Sequence, residues 1–251
     1  MEVKILASGS KGNCIAVSSG SSVILIDAGV AKTKIQKRLL EHDIKPTDVE
    51  AIFVTHAHGD HIKGLPLANE YRIPVYASEG EWKGIKTVDE ELRHIISNQS
   101  VLFDWEGMKE WVQITPFDVH HDALEPKGYF IETPSHKCSI CLDTGQVDEE
   151  MLAAMKDSDI YIIEANHHPA MVEVCNRPEL VKARILSNYV GHLSNQQTGE
   201  ALRKLVKGKG ERIYLTHLSE GNNVSILAQM TVERHLSPFV NGKDYFLEVV
   251  R

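Results

Sequence analysis

The six residues His56-Ala57-His58-Gly59-Asp60-His61 carry three imidazoles and one carboxylate. Neutral imidazole and carboxylate are the ordinary ligands of zinc, and they also suit manganese and iron. His56 and His58 alternate across a turn and can face one ion. Asp60 and His61 follow at a spacing that serves a second. A lone His reads as a polar loop residue, whereas four ligand-type side chains in so short a run read as metal binding. The run starts just after Val49-Glu50-Ala51-Ile52-Phe53-Val54, a short apolar, β-branched segment of strand type.

Four more segments repeat the arrangement. His121 follows the apolar run Val112–Val119, and Asp143 follows Ile140-Cys141-Leu142. Glu164 to His167 follow Tyr161-Ile162-Ile163, and His217 follows Ile213-Tyr214-Leu215. Strand ends that feed loops on one rim are where α/β architectures build their sites. Polar residues follow buried strands in many proteins, but recurring His and Asp, in place of Lys, Ser and Asn, point to one pocket. His192 is placed differently. Ser194, with Gln197 three residues on, forms a capping box, so a helix starts there with His192 just before it. Unpaired backbone N–H groups at a helix N-terminus favour anions. His192 is therefore suited to contact a phosphate or to protonate a leaving oxygen.

These groups need a scaffold of alternating strands and helices. Val3–Leu6, Cys14–Val17 and Ser22–Ile26 read as strands separated by Gly and Ser clusters. Lys32–His42 shows Ile35, Leu39 and Leu40 at helical spacing. A helix over Gly64–Arg72, a strand from Pro74, a helix over Asp89–Ile96 and strands on either side of Trp105 follow. Strands are expected at Val112–Val119, Tyr129–Glu132, Cys138–Leu142, Ile160–Glu164, Arg212–Leu215 and Tyr245–Val249. Helices are expected at Asp148–Lys156, Pro178–Val190, Ser194–Val206 and Val224–His235. No repeat, low-complexity tract or linker divides the chain. The expectation is one domain over residues 1–251, with two packed sheets and helices outside.

Composition sets limits on partners. With 251 residues the chain can bury a sizeable core, and its formal charge of −8 argues against a broad basic surface for nucleic acid. A local basic groove stays compatible with that charge. No apolar stretch reaches membrane-span length, and Met1-Glu2-Val3-Lys4 lacks a signal peptide's order, so a cytoplasmic protein without a membrane is expected. Cys14, Cys138, Cys141 and Cys175 do not make a disulfide framework in a chain this long. Cys138 and Cys141 lie three apart in a strand and point to opposite faces, which suits packing better than a shared metal. Lys32, Lys34, Lys37 and Arg38 read as a solvated helix face. Aromatic residues near the motifs are few, so no stacking platform for single strands is evident.

The run H-x-H-x-D-H after a hydrophobic strand, with a further His, an Asp and a final His downstream in that order, resembles the metallo-β-lactamase-fold hydrolases. The resemblance implies a four-layer αββα sandwich. It also implies two divalent ions, zinc or manganese with iron as an alternative, about 3.5–4 Å apart with a water between them. Carried over residue by residue, His56, His58 and His121 hold the first ion. Asp60, His61 and His217 hold the second, and Asp143 bridges both. Spacing alone does not choose between His120 and His121. His121-Asp122-Ala123, with Pro126, Gly128 and Tyr129 beyond, resembles the family's H-D-A…P-x-G-Y block and selects His121.

Within this superfamily the chain is most similar to the YycJ (WalJ/VicX) group, over nearly its whole length. Leu6-Ala7-Ser8-Gly9-Ser10-Lys11-Gly12-Asn13-Cys14 resembles that group's L-A-S-G-S-x-G-N-C. Leu25-Ile26-Asp27-Ala28-Gly29, His61-Ile62-Lys63-Gly64-Leu65 and Glu164-Ala165-Asn166-His167 match as well. The most diagnostic segments are Gly191-His192-Leu193-Ser194-Asn195 and His217-Leu218-Ser219-x-x-Asn222-Asn223. The chain departs from the group at His168, where an acidic residue is expected.

Members of the group are described as 5′→3′ exodeoxyribonucleases. The resemblance implies phosphodiester hydrolysis of DNA, with Asp60 orienting the attacking water. His192 would be the acid or phosphate contact, as at the comparable place in the related ribonuclease Z enzymes. It further implies substrate contacts at Asn13, Asn166, His167 and Ser194. The partner expected is DNA or another phosphodiester; oligomeric state has no signal in the sequence. A small-molecule phosphodiesterase, acting on cyclic nucleotides for instance, shares the chemistry and suits the acidic surface. An ester or thioester hydrolase also exists on this fold, but Gly191 to Ser194 argue for phosphate. A non-enzymatic metal-stabilised module is the weakest reading, because no ligand is missing.

Overall fold

A computed structural model describes residues 1–19, 22–104 and 111–250 of the chain. Two compact units are present, Met1–Pro116 with Ala123–Lys127, and Phe117–Asp122 with Gly128–Arg251.

The first unit carries β1 (Glu2–Ala7), β2 (Cys14–Ser19), β3 (Ser22–Ile26), α1 (Lys32–Glu41), β4 (Val49–Phe53), α2 (Gly59–Ile62), α3 (Pro66–Tyr71), β5 (Val75–Ala77), α4 (Glu79–Trp82), β6 (Arg93–Ile95) and β7 (Val101–Asp104). β8 (Trp111–Asp118) passes from this unit into the second. The first sheet runs in chain order, β1-β2-β3-β4-β5-β6. β1 to β3 form an antiparallel meander, and β3 to β6 are parallel. Every residue of β3 is buried, as expected of a central strand covered on both faces. α1 inserts Ile35 and Leu39 into the core, while Leu40 points to solvent. The Phe103 ring of β7 packs edge-on against Phe53 and Tyr76.

The second unit carries β9 (Lys127–Glu132), β10 (Lys137–Cys141), α5 (Glu149–Met155), β11 (Ile160–Glu164), α6 (Pro169–Val174), α7 (Glu179–Ile185), α8 (Asn195–Leu205), β12 (Glu211–Thr216), α9 (Ser225–Leu236) and β13 (Tyr245–Val249). The second sheet has the order β13-β12-β11-β10-β9-β8-β7. β10 to β13 are all parallel, so their C-terminal ends come out on one rim. Leu202 and Leu205 of α8 and Val232 and Leu236 of α9 form one core with Tyr161, Ile163, Ile213 and Leu215. Cys141 joins that core, and Cys138 is buried outside it; both are free thiols, and burial raises their pKa. The architecture is mixed α/β with two sheets and helices, as the sequence pattern implied. Among the described residues no helix is long and apolar enough to cross a membrane.

Three expectations change. Asp89–Ile96 is not a helix: Glu90–Leu92 make one 3-10 turn, and Arg93–Ile95 pair with β5. Leu92 and Ile96 are both buried, and their spacing of four imitates a helical face. Pro178–Val190 holds only the seven-residue α7, after which the chain turns through a loop to His192. The helix expected over Gly64–Arg72 is the shorter α3, with α2 formed inside the histidine run itself. Trp105 lies outside the described residues.

Candidate metal centre

In the first unit the ligand-type residues follow β4 directly. His58 is the N-cap of α2, which contains Asp60 and His61. Asp27, just past the end of β3, is fully buried and has φ +61°. Its carboxylate accepts from the Thr55 N–H (2.8 Å) and the Thr55 hydroxyl (2.9 Å), and it lies 2.7 Å from His61 Nδ1. His61 Nδ1–H therefore donates to Asp27, which makes Nε2 the nitrogen that carries the lone pair and is able to ligate. Asn13 Nδ2 lies 3.1 Å from that Nε2, and Asn13 Oδ1 accepts from Gly9 N–H.

Thr55 Oγ is 3.1 Å from His56 Nδ1. His56 Nε2 and His58 Nδ1 converge to 3.0 Å. Two nitrogens bound to one tetrahedral zinc are roughly 3.3 Å apart at bond lengths of 2.0–2.1 Å, so this pair fits a shared cation. Backbone packing keeps the histidine run in place. Asn13 N–H donates to the Asp60 carbonyl and Ala28 N–H to the His61 carbonyl. A Cβ on Gly29 would sit 1.7 Å from the Asp60 carbonyl oxygen, so this close approach requires glycine.

In the second unit, three neighbouring parallel strands deliver Asp143, Glu164 and His217 to one rim. Glu164 is the last residue of β11 and pairs with Thr216, the residue before His217. Asp143 and His217 both have positive φ, +48° and +54°. His217 Nδ1 lies 2.8 Å from Asp143 Oδ1 and 3.1 Å from Glu164 Oε2. His192 Nδ1 lies 3.1 Å from Asp143 Oδ1 and 3.2 Å from Glu164 Oε2. The four ligand-type atoms of Asp143, Glu164, His192 and His217 all lie within 4.8 Å of one another. The other Glu164 oxygen accepts from the Thr144 and Leu193 N–H groups at 2.7 and 3.0 Å.

The electrostatics of this cluster follow from burial and charge. Burial opposes ionisation of Glu164, but the His192 charge and hydrogen bonds from His192 and His217 hold its pKa below the ordinary value. Burial likewise opposes charge on His192, yet the Glu164 charge and hydrogen bonds to Asp143 and Glu164 raise its pKa to about 9. Burial lowers the pKa of His121, against the Asp143 charge, so this ring is neutral and able to ligate.

His192 owes its position to Gly191. A Cβ on Gly191 would lie 2.5 Å from the carbonyl oxygens of Ile185 and Ser187, so glycine lets the chain fold back over the end of α7. His192 N–H then donates to the Ile185 carbonyl, and Ser194 caps α8 in a reciprocal box with Gln197. His121 is buried with Nδ1 3.3 Å from the Gly191 carbonyl. His120 instead pairs with Asp148, the N-cap of α5, at 2.7 Å. This supports His121 as the ligand.

The residues expected to contact substrate are all at least nine-tenths buried. Asn166 Nδ2 donates to the His217 carbonyl, and the His167 carbonyl accepts from Asn195 N–H. Reading the sequence placed Glu164 among the ligand-type residues at strand ends without giving it a role, and it missed Asp27 and Thr55. Glu164 and Asp27 stand inside segments already matched to the YycJ group, and each is an acidic residue at the end of an apolar run.

A family model described as Beta-lactamase superfamily domain matches residues 23–218, across both units. Exodeoxyribonuclease YycJ of Bacillus anthracis is 34% identical over 239 residues, covering 94% of this chain and 89% of that protein. Exodeoxyribonuclease WalJ of Streptococcus pneumoniae serotype 2 is 36% identical over 236 residues, covering 93% and 87%. The chain belongs to the YycJ/WalJ family of the metallo-β-lactamase superfamily. Its fold is also that of the metallo-β-lactamase fold protein YhfI from Bacillus subtilis, with TM-score 0.72, 15% identity, and 99% and 95% of the two chains covered. The class of activity follows from membership: a metal-dependent hydrolase of phosphodiester type, with His and Asp clusters suited to divalent ions.

Proposed function

We propose that the protein is a dinuclear metal-dependent phosphodiesterase that degrades DNA from a 5′ end, a 5′→3′ exodeoxyribonuclease, and that residues 1–251 act as one domain. The names of its YycJ and WalJ relatives carry the DNA assignment. The observation that carries the phosphodiester chemistry is the placement of His192, two residues before the cap of α8 with Nδ1 3.2 Å from the buried carboxylate of Glu164. A thiolate leaves a thioester without a strong proton donor, whereas an alkoxide leaving group needs one.

In this reading His56, His58 and His121 would hold one ion, Asp60, His61 and His217 would hold the other, and Asp143 would serve both, in the order of the family's motif. Zinc or manganese fits this donor set, with iron as an alternative. When bound, the two ions lower the pKa of a water and neutralise charge building on the phosphoryl group. Asp60 orients that water. Glu164 engages His192 Nδ1, so Nε2 carries the proton that passes to the departing 3′ oxygen as the P–O bond breaks. Asn13, Asn166, His167 and Ser194 act on substrate through the groups they hold: the His61 ring, the His217 loop and the start of α8.

The test is digestion of end-labelled linear duplex DNA beside cyclic mononucleotides, with manganese and with zinc. Mononucleotides should appear from a free 5′ end, and sealed circular DNA should stay intact. The formal charge of −8 favours the second reading, a small-molecule phosphodiesterase. Rapid cleavage of a cyclic mononucleotide with negligible release from linear DNA would establish it instead.

A further inference from the structure

Glu81 is a carboxylate on α4 with 2% exposure, and among the described residues both oxygens bond to backbone amides. One oxygen accepts from the Ala57 N–H at 2.6 Å. The other accepts from the Glu125 N–H at 2.7 Å. Charge-assisted bonds of this length between a buried carboxylate and backbone amides are strong and directional. Their two ends matter because of what the amides are attached to. Ala57 stands between His56 and His58, and Glu125 is four residues past His121.

The segment around Glu125 is fastened by further bonds of the same kind. Ser78 Oγ donates to the Glu125 carbonyl at 2.8 Å, and Gly80 N–H donates to the Glu125 carboxylate at 2.9 Å. Lys127 N–H donates to the Thr55 carbonyl at 2.9 Å. Packing is close as well, since a Cβ on Gly84 would come within 2.7 Å of Ala57 Cβ. Both bonds are only partly buried, so an amide left without its acceptor would cost part of the desolvation penalty, and the turn would shift to find another partner.

We propose that Glu81 is the positioning residue of the two histidines that the first unit supplies to the first ion: one buried side chain that ties the turn carrying His56 and His58 to the segment at Glu125. It acts through those two histidines and not on substrate. His61, assigned to the second ion, is oriented by Asp27, while Thr55 touches both His56 and His61. The proposal rests on the ligand assignment made above.

The test is zinc and cobalt(II) titration of full-length wild type and of Glu81→Gln, with bound metal counted after dialysis against graded chelator. Two ions on the wild type support the ligand assignment; a wild type that binds one ion overturns that assignment, and the variant comparison is then made on that ion. Glu81→Gln keeps one acceptor but turns an NH2 toward the other amide. It should weaken one ion by about 10–100-fold, the usual effect of an outer partner. The other ion should keep wild-type affinity, and the cobalt spectrum should change for the weakened site alone. Glu81→Asp, too short to reach both amides, should reproduce this selective loss where the Gln variant does not fold. A merely structural role predicts a lower melting temperature of metal-free protein, with both ions weakened equally or neither affected. Either result overturns the proposal.

Discussion

Replacing His192 with alanine separates the proposed acid from the metal scaffold. The substitution removes the Nδ1 contacts of 3.1 Å to Asp143 and 3.2 Å to Glu164. Glu164 keeps the N–H groups of Thr144 and Leu193 and the His217 ring, so the buried carboxylate stays hydrogen-bonded. Losing one charge-assisted contact costs about 1.5–3 kcal/mol, which a domain of this size can absorb. Metal content should therefore be retained. Turnover on DNA should fall about 10²–10⁴-fold, or about 2.7–5.4 kcal/mol in activation free energy. The informative assay compares DNA with bis(p-nitrophenyl) phosphate under the same metal. Nitrophenolate leaves without taking a proton, so an acid that serves only the leaving group becomes dispensable. The loss on that substrate should be roughly tenfold or less. Equal losses on both substrates would refute the acid and assign His192 to holding phosphate. Unchanged turnover on DNA would demote it to a loop residue.

Asp143→Ala should weaken both ions, counted by elemental analysis, and loss of one alone would argue against bridging. Activity on duplex DNA should fall steeply with salt, since four phosphate contacts would lower affinity about 10²-fold between 50 and 200 mM; bis(p-nitrophenyl) phosphate hydrolysis should respond far less, and matching slopes would argue against an extended DNA contact. His167 carries a pH prediction for metal-free protein: burial lowers its pKa from 6.5 to about 4. The unfolded chain takes up that proton first as pH falls, so stability is lost between pH 6.5 and 4, by roughly 3 kcal/mol in all. Denaturant unfolding of His167→Gln should show a shallower pH slope across that window, and an identical slope would refute the attribution.

The histidine run, the strand before it and the capping box at Ser194 could be read from the sequence because each is local. Ligand placement at strand ends was legible for the same reason: an apolar run that stops at His or Asp needs no partner to be seen. The carboxylates that aim those ligands were not legible. Asp27 reaches His61 across 34 residues, and Glu164 reaches His192 across 28. Glu81 reaches Ala57 from a four-residue helix with no periodicity to announce it. Buried acceptors of this kind look like any acidic residue until the fold closes around them. The α7 boundary failed differently: the stretch from Leu186 to Val190 continues an apolar rhythm, but the fold-back that Gly191 allows ends the helix at Ile185.

Backbone strain distinguishes the site from the rest of the scaffold. Among the described residues, six that are not glycine have positive φ: Asp27, Asp43, Arg72, Asp143, Asp157 and His217. Arg72 is the C-cap of α3, while Asp43 and Asp157 come just past the C-caps of α1 and α5. A left-handed residue there is a common way for a helix to stop. Asp27, Asp143 and His217 instead follow β3, β10 and β12, where the conformation has no such routine use. Asp and His tolerate it better than β-branched residues, but each instance costs about 1–3 kcal/mol. Glycine would relieve that strain and remove the side chain. At Asp27 the bonds to Thr55 and His61 hold the strained residue, and at His217 the Asn166 amide holds its carbonyl. The turn sends each side chain out over the strand end, where the alternation of a continuing strand would have sent it to one face of the sheet. Strain at these three strand ends is thus the backbone's contribution to aiming two proposed ligands and the carboxylate that orients a third.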